Sequence, residues 1–279
     1  MIFASWKLAL LKMPEDPQKI LNTAVEAAQK AGAYLLETAG NLIVDNIDEK
    51  RKNDFVTIAD KTSETLIVEH IQSRFPQHSV FAEESGEFNR ESAYQWIIDP
   101  LDGTTNFIRN IPFYSISIAV KYQNQMLAGV VSNPPLNEVF TAIKGQGAFL
   151  NNKPIKISQQ KDFSRAFLAT GFPHQFKYHT PQYMSAFSEI FFNIAEVRRL
   201  GSAALDLCYT ACARFEGFWE LGLNPWDVAA GSLIVQEAGG AVSDFYGRQF
   251  FMESGYIVAA NKTVHSHLIK ILSNYFKER

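Results

Sequence analysis

The stretch that most constrains this chain is Trp96-Ile97-Ile98-Asp99-Pro100-Leu101-Asp102-Gly103-Thr104-Thr105-Asn106-Phe107. Tyr94, Trp96, Ile97 and Ile98 form a short apolar run of the buried-strand type. The run stops on a carboxylate, turns through Pro100 and presents a second carboxylate at Asp102. Gly103 lets the backbone approach a ligand closely, and Thr104 and Thr105 follow with free N–H groups. Alone, Asp-Pro-x-Asp is more often a solvated turn after a strand. With the apolar run leading in, it reads as two carboxylates and backbone donors at a strand end. That combination suits a hard cation and a phosphate together.

The rest of the chain can supply the scaffold. Its 279 residues are 47% hydrophobic and 20% charged, enough apolar material for a large core. Asp16-Pro17 starts a helix over 17–38, with Ile20, Leu21, Ala24, Ala27, Ala28, Ala31 and Leu35 on its apolar face. A polar linker over 45–53 follows, and Asp60 caps a second helix that Pro76 terminates. A short strand at 79–82 ends at Glu83-Glu84. Strands at 115–120, 127–131 and 138–143, with turn signals at Gly145-x-Gly147 and Asn151-Asn152, read as an antiparallel meander. Strands then recur at 165–170, 195–200, 218–221, 241–245 and 256–260. Helices alternate with them at 181–193, 203–214 and 226–238 and from 264. The pattern is mixed α/β with layered helices and sheets.

Residues 14–279 are expected to form one catalytic domain of two closely joined α/β halves. Residues 1–13 are expected to be an extension that contributes little. They are apolar, but they lack a basic start and a cleavage site, Lys7 interrupts them, and they are too short to span a bilayer.

A net charge of −3 with no Lys/Arg block gives no footprint for nucleic acid, and no segment predicts a membrane span. Cys208 and Cys212, four apart in a helical pattern, read as core thiols in a reducing cytoplasm. The histidines are scattered, and the chain has no phosphate-binding G-x-x-x-x-G-K-[ST] loop, G-x-S-x-G elbow or dinucleotide fingerprint. Carboxylates recur at element ends instead: Glu83 and Glu84, Asp99 and Asp102, and Asp227 after Trp226. Taken singly, Trp226-Asp227 is a helix-start acid and Glu83-Glu84 a solvated pair. If they converge, two carboxylates about 4 Å apart repel by roughly 4 kcal/mol at an effective dielectric near 20, so the group must protonate or bind cations. All-oxygen ligation selects Mg²⁺ or Mn²⁺ over zinc. The surviving chemistry is metal-assisted hydrolysis of a phosphate ester.

That stretch, followed by Pro225-Trp226-Asp227-Val228-Ala229-Ala230-Gly231 and Glu237-Ala238-Gly239-Gly240, resembles the inositol monophosphatase family. The similarity runs from about Pro17 over almost the whole chain. It includes Asp54-x-Val56-Thr57-x-Ala59-Asp60, Ala82-Glu83-Glu84-Ser85, Gly145-x-Gly147-Ala148-Phe149 and Gly201-Ser202-Ala203-Ala204. The run from Gly217 to Asp227 looks like the bacterial members especially. The resemblance implies a layered α-β-α-β-α sandwich and a Mg²⁺-dependent, often Li⁺-sensitive hydrolase of small phosphomonoesters. Family members are often homodimers. Glu83, Asp99 and the Leu101 carbonyl would hold one Mg²⁺; Asp99, Asp102 and Asp227 would hold a second, and Glu83 could share a third. Gly103 and Thr104 N–H groups would bind phosphate, with Asp102 and Asp227 bordering the substrate. Thr104, paired with Asp60, would orient and deprotonate the attacking water. Glu220 and Ala203 match positions that contact the alcohol.

Ala82 and Ala213 stand where many relatives have Gly, and the linker carrying Lys50, Arg51 and Lys52 departs from the pattern. The implied substrate is inositol-1-phosphate together with related polyol phosphates. Same-fold alternatives are fructose-1,6-bisphosphate, histidinol phosphate and a 3′-phosphoadenosine nucleotide. The bisphosphate and the nucleotide would need added basic or aromatic groups, with Arg198, Arg199 and residues 174–179 as the places to look. From another class comes a regulatory protein that binds RNA or a protein partner; the acidic net charge argues against RNA.

Overall fold

The helix expected at the start of the fold forms as α1 (Pro17–Thr38), and the Asp16 carboxylate accepts from the Gln18 N–H at 3.0 Å. The computed structural model describes residues 15–40, 47–51, 54–88, 91–173 and 177–276, with the backbone alone at 47–51, 54–57 and 88. The N-terminal extension expected over 1–13, and residues 174–176, lie outside the described residues. The stretch read as a linker instead carries β1 (Ile47–Arg51), paired antiparallel with β2 (Asp54–Thr57). Ile47 is its only apolar residue, so no period-two signal marked it. Asp60 is not a cap, because α2 (Ile58–Arg74) begins two residues before it and places it in the first turn.

Eight strands form the large sheet: β3 (Ser79–Ala82), β4 (Gly86–Phe88), β5 (Tyr94–Asp102), β6 (Ser115–Tyr122), β7 (Gln125–Asn133), β8 (Glu138–Ile143), β9 (Ala148–Leu150) and β10 (Lys153–Ile155). Their order is β10-β9-β8-β7-β6-β5-β3-β4. The expected meander is the antiparallel run from β6 to β10, closed by Asn151 and Asn152 with φ of 47° and 63°. Within this sheet, among the described residues, β3 and β5 alone pair in parallel. The strand β5 is buried on both faces: Trp96 and Ile98 pack with the α1 and α2 layer, while Ile97 packs into the core on the other side.

After β5 come a one-turn helix, α3 (Thr104–Ile108), and, past the meander, β11 (Phe167–Thr170), α4 (Thr180–Phe192) and β12 (Glu196–Arg198). The chain continues through α5 (Ala203–Ala211), β13 (Gly217–Leu221), α6 (Pro225–Glu237) and β14 (Ala241–Ser243). It closes with α7 (Phe251–Ser254), β15 (Tyr256–Ala260) and α8 (Lys262–Tyr275). The small sheet has the order β12-β11-β13-β15-β14. Helices α5 and α6 pack against each other and against both sheets, while α4 and α8 cover the far face of the small sheet. The result is the expected α-β-α-β-α sandwich, with one apolar core on the outer side of each sheet and a third between them.

Candidate active site

A regular strand would place Asp99 and Asp102, three residues apart, on opposite faces. The sequence reading ended the strand at Asp99. Instead β5 continues through Pro100 to Asp102, and Asp99 pairs with Ser117 while Asp102 pairs with Ser115. Three steps on β5 against two on β6 make a bulge, where a proline is tolerated because the ladder is already broken. The extra residue brings both carboxylates into one cleft. The bulge is pinned from outside by Ser63, whose hydroxyl donates to the Pro100 carbonyl at 2.8 Å.

That cleft, about 190 Å³ in volume, is lined by Glu83, Asp99, Leu101, Asp102, Gly103, Thr104, Glu220 and Asp227 among others. Glu83 enters from the end of β3, where its N–H donates to the Ile98 carbonyl at 3.1 Å. Asp227 enters from the first turn of α6, and its carboxylate accepts from the Asn224 N–H at 2.7 Å. Asp102 accepts from the Ser202 hydroxyl at 2.7 Å and the Ala204 N–H at 2.8 Å, tying the bulge to the start of α5. Asn106 draws the same two segments together by donating to the Phe113 and Leu200 carbonyls. Gly103, at φ 95°, lies where a Cβ would be 3.1 Å from both the Gly201 and Phe113 carbonyl oxygens, so only glycine fits this crossing.

The acids feel one another. Burial, then Glu83, Asp102 and Asp227, push the Asp99 carboxyl well above the usual range. Burial, then Asp102 and Glu83, do the same to Asp227. Asp102 rises only to about 6, because its hydrogen bonds from Ser202 and the α5 N-terminus oppose burial. Glu220 rises to about 8, burial being opposed by Arg199 and reinforced by Asp102. Among the described residues, no three His, Cys, Asp or Glu side chains stand close enough to form a ready-made metal site. The donor set nevertheless fits a hard dication: it offers only oxygens, and their mutual repulsion is what such a charge would relieve.

Below the cleft wall, Asp60 is almost fully buried, and the Thr104 hydroxyl lies 3.0 Å from its Oδ1 and 3.1 Å from the Leu101 carbonyl. One hydroxyl proton serves one of these acceptors at a time. Ala203 does not face the cleft; it lines an adjoining chamber of about 120 Å³ that shares Asp102, Glu220, Leu223 and Asp227 with it. The sequence reading missed three residues here. Ser202 appears there only as part of a motif, and neither Asp206 nor Gly171 is singled out by any motif. Of the residues named as possible basic contacts, Arg199 lines the chamber and Arg198 does not.

A layered α/β sandwich holding an oxygen-only acidic cleft beside a threonine–aspartate pair defines a class suited to phosphate chemistry. Residues 16–277 match the inositol monophosphatase family. The chain is 46% identical over 246 residues to a protein named Nus factor SuhB from Escherichia coli strain K12, covering 88% of this chain and 92% of the relative. Its fold superposes on inositol monophosphatase from Anabaena (Nostoc) sp. PCC 7120 with a TM-score of 0.83 at 38% identity, covering 93% and 97% of the two chains. It also matches the extragenic suppressor protein suhB of Bartonella henselae, with a TM-score of 0.87, 38% identity and coverage of 91% and 98%. The chain belongs to the inositol monophosphatase family, whose members use metal ions and whose membership supports phosphatase activity here. Among the described residues, no helix is long and apolar enough to cross a membrane.

Proposed function

We propose that this protein is a cytoplasmic, Mg²⁺-dependent and Li⁺-sensitive phosphomonoesterase, acting as a homodimer. Its substrates are inositol-1-phosphate and related polyol phosphates, released as alcohol and inorganic phosphate. The observation that carries the reading is the convergence of Glu83, Asp99, Asp102 and Asp227 on one cleft beside the Thr104–Asp60 pair. One ion would take Glu83, Asp99 and the Leu101 carbonyl, a second Asp99, Asp102 and Asp227, and a third would share Glu83; Mn²⁺ suits the same oxygens. Bound there, the ions would supply Lewis acidity toward the attacking water and the leaving oxygen.

The chain's own groups do the rest. Gly103 and Thr104 N–H groups hold the phosphate. The Thr104 hydroxyl gives its proton to Asp60 and keeps lone pairs for the water proton, so the carboxylate acts as base through the hydroxyl. Glu220 and Ala203 border the alcohol. Support for the polyol comes from the 38% identical relative called an inositol monophosphatase.

Turnover on a phosphate panel with Mg²⁺ tests this. Inositol-1-phosphate should exceed fructose-1,6-bisphosphate, histidinol phosphate and a 3′-phosphoadenosine nucleotide in kcat/KM. A higher value for any of those three would replace the substrate, and no turnover on any would remove the reading. The name Nus factor, carried by a 46% identical relative, favours a second reading, a regulatory role through a protein or RNA partner. Retention of that role by a catalytically dead variant would separate it from hydrolysis.

A further inference from the structure

Helix α2 buries a stripe that changes character along its length. Its buried positions are Ala59, Asp60, Ser63, Glu64, Ile67 and Ile71, and the spacing from 60 through 63, 64 and 67 to 71 is that of one helix face. In the second half Ile67 and Ile71 join Trp96 and Ile98 in the outer core. The first half is polar instead, and Glu64 there is only 5% exposed. Burying Asp60, Ser63 and Glu64 in succession is unfavourable unless each finds a partner.

Each finds one on a different segment of the cleft. Asp60 meets the Thr104 hydroxyl, just past Asp102, and Ser63 meets the Pro100 carbonyl inside the bulge. Glu64 reaches a third segment, where its Oε2 accepts from the Glu84 N–H at 2.8 Å. Glu84 is the middle residue of the turn from Glu83 to Ser85 that joins β3 to β4. The N–H before it, that of Glu83, goes to the Ile98 carbonyl, one residue ahead of Asp99. Successive amides of this turn are thus held by β5 and by α2. Their two peptide planes flank the Glu83 Cα, so holding both sets the direction of its Cα–Cβ bond. Glu64 itself lines neither the cleft nor the chamber.

We propose that Glu64 is a positioning residue for Glu83. By holding the Glu84 N–H it aims the Glu83 carboxylate at the place where Asp99 and the Leu101 carbonyl would meet it on a divalent cation. With Asp60 and Ser63, it makes the start of α2 a template that sets Glu83, the bulge and Thr104 relative to one another. This rests on the metal-assisted reading and adds to it a group that touches neither ion nor substrate.

The test is calorimetric binding of Mg²⁺ to the substrate-free protein, in wild type, Glu64→Gln and Glu64→Leu, each with and without Glu83→Gln. Loss of one hydrogen bond predicts a Kd about three- to tenfold higher in Glu64→Leu. Glu64→Gln keeps an acceptor oxygen at the same reach, so its Kd should stay within about twofold of wild type. In the Glu83→Gln background, Asp99, Asp102 and Asp227 still offer the second set of oxygens. Glu64→Leu should there add no more than about twofold, because the two residues act as a unit. Where the leucine variant fails to fold, Glu64→Ala takes its place. Unchanged Kd in the apolar variant would overturn the positioning role. So would an equal rise in Glu64→Gln, which would assign the effect to charge, or a full rise in the Glu83→Gln background, which would assign it to general loosening. Each of these leaves the metal-assisted reading intact. Absence of Mg²⁺ binding by wild type would instead overturn that reading, and the positioning role with it.

Discussion

The two sides of this cleft are built in different ways. On the side proposed to hold phosphate, Asp99, Leu101, Asp102, Gly103 and Thr104 are nearly consecutive, at the end of β5 and the start of α3, and β5 is buried on both faces and locked by a bulge. On the side proposed to hold the alcohol, Gly171 follows β11, Arg199 follows β12, Asp206 belongs to α5 and Glu220 is the next-to-last residue of β13, so four separated segments meet. Most of the groups proposed to break the bond follow one another along one backbone, with Glu83, Asp60 and Asp227 brought to them from β3, α2 and α6. The groups that would choose the alcohol are spread over elements that can vary separately. A change on the first side should therefore end chemistry, and a change on the second should grade recognition.

Asp99→Asn is the largest break. It removes a donor common to both proposed ions, and turnover with saturating Mg²⁺ should fall by roughly 10²–10³-fold or more. The same change relieves crowding among Asp99, Glu83, Asp102 and Asp227. Without metal, the variant should melt at a higher temperature, by about 2–4 °C for each kcal/mol relieved. That gain should be larger at pH 8 than at pH 5, where protonation has already relieved wild type. Turnover near wild type would remove Asp99 from the chemistry and dissolve the contrast between the two sides.

Glu220→Gln probes the other side, and a smaller effect is expected. Under turnover conditions the cations favour ionised Glu220, and a charge-assisted bond to a hydroxyl is worth about 1.5–3 kcal/mol, so KM for inositol-1-phosphate should rise about tenfold or more. An aryl phosphate, lacking those hydroxyls, should show less. Titration gives a second readout on the metal-free protein. Burial raises Glu220 from its ordinary 4.5 to about 8, so between those values the folded state holds a proton that the unfolded chain has released. The stabilisation is fully present below pH 4.5 and is lost as pH rises through 8. Melting temperature should fall with rising pH across that window less steeply in Glu220→Gln. Equal losses of kcat on both substrates would instead place Glu220 with the bond-breaking groups.

The same division decides what could be read from sequence. The phosphate side was legible because its residues are neighbours in the chain and its apolar lead-in has a periodicity. Even so, the bulge escaped notice. Asp-Pro-x-Asp fits a turn as well as a broken ladder, and only pairing with β6 shows two carboxylates turned to one face. Glu83 and Asp227 were found as acids at element ends, though their meeting depends on α6 lying between the sheets. On the alcohol side, Glu220 and Ala203 came from the family resemblance and not from residue patterns. Gly171 and Asp206 have meaning only through contacts across the fold: a glycine under a carboxylate 49 positions on, and a helical acid with no partner. Layers and most elements followed from period and turn chemistry. The β1–β2 ribbon did not, because backbone pairing needs no apolar alternation.

The smallest expected effect serves as a control on whether the alcohol side is built locally. Ala213 follows α5 with φ of 63°, a left-handed conformation that glycine adopts without strain. An L-residue there costs roughly 1–2 kcal/mol, of which glycine's freedom in the unfolded chain returns about 0.4–1 kcal/mol. Ala213→Gly should thus stabilise the protein by about 0.5–1 kcal/mol, a rise in melting temperature of about 1–4 °C. Ala213 lines neither the cleft nor the chamber, and its N–H donates to the Thr210 carbonyl at 3.2 Å within its own turn. Relief of strain at this end of α5 should therefore leave KM for inositol-1-phosphate where it was, although Asp206 stands on the same helix. Should KM shift together with stability, α5 would be transmitting strain from its C-terminus to the chamber. Recognition of the alcohol would then depend on the setting of a whole helix, and the contrast between a rigid chemical side and a locally adjustable one would fail at that helix.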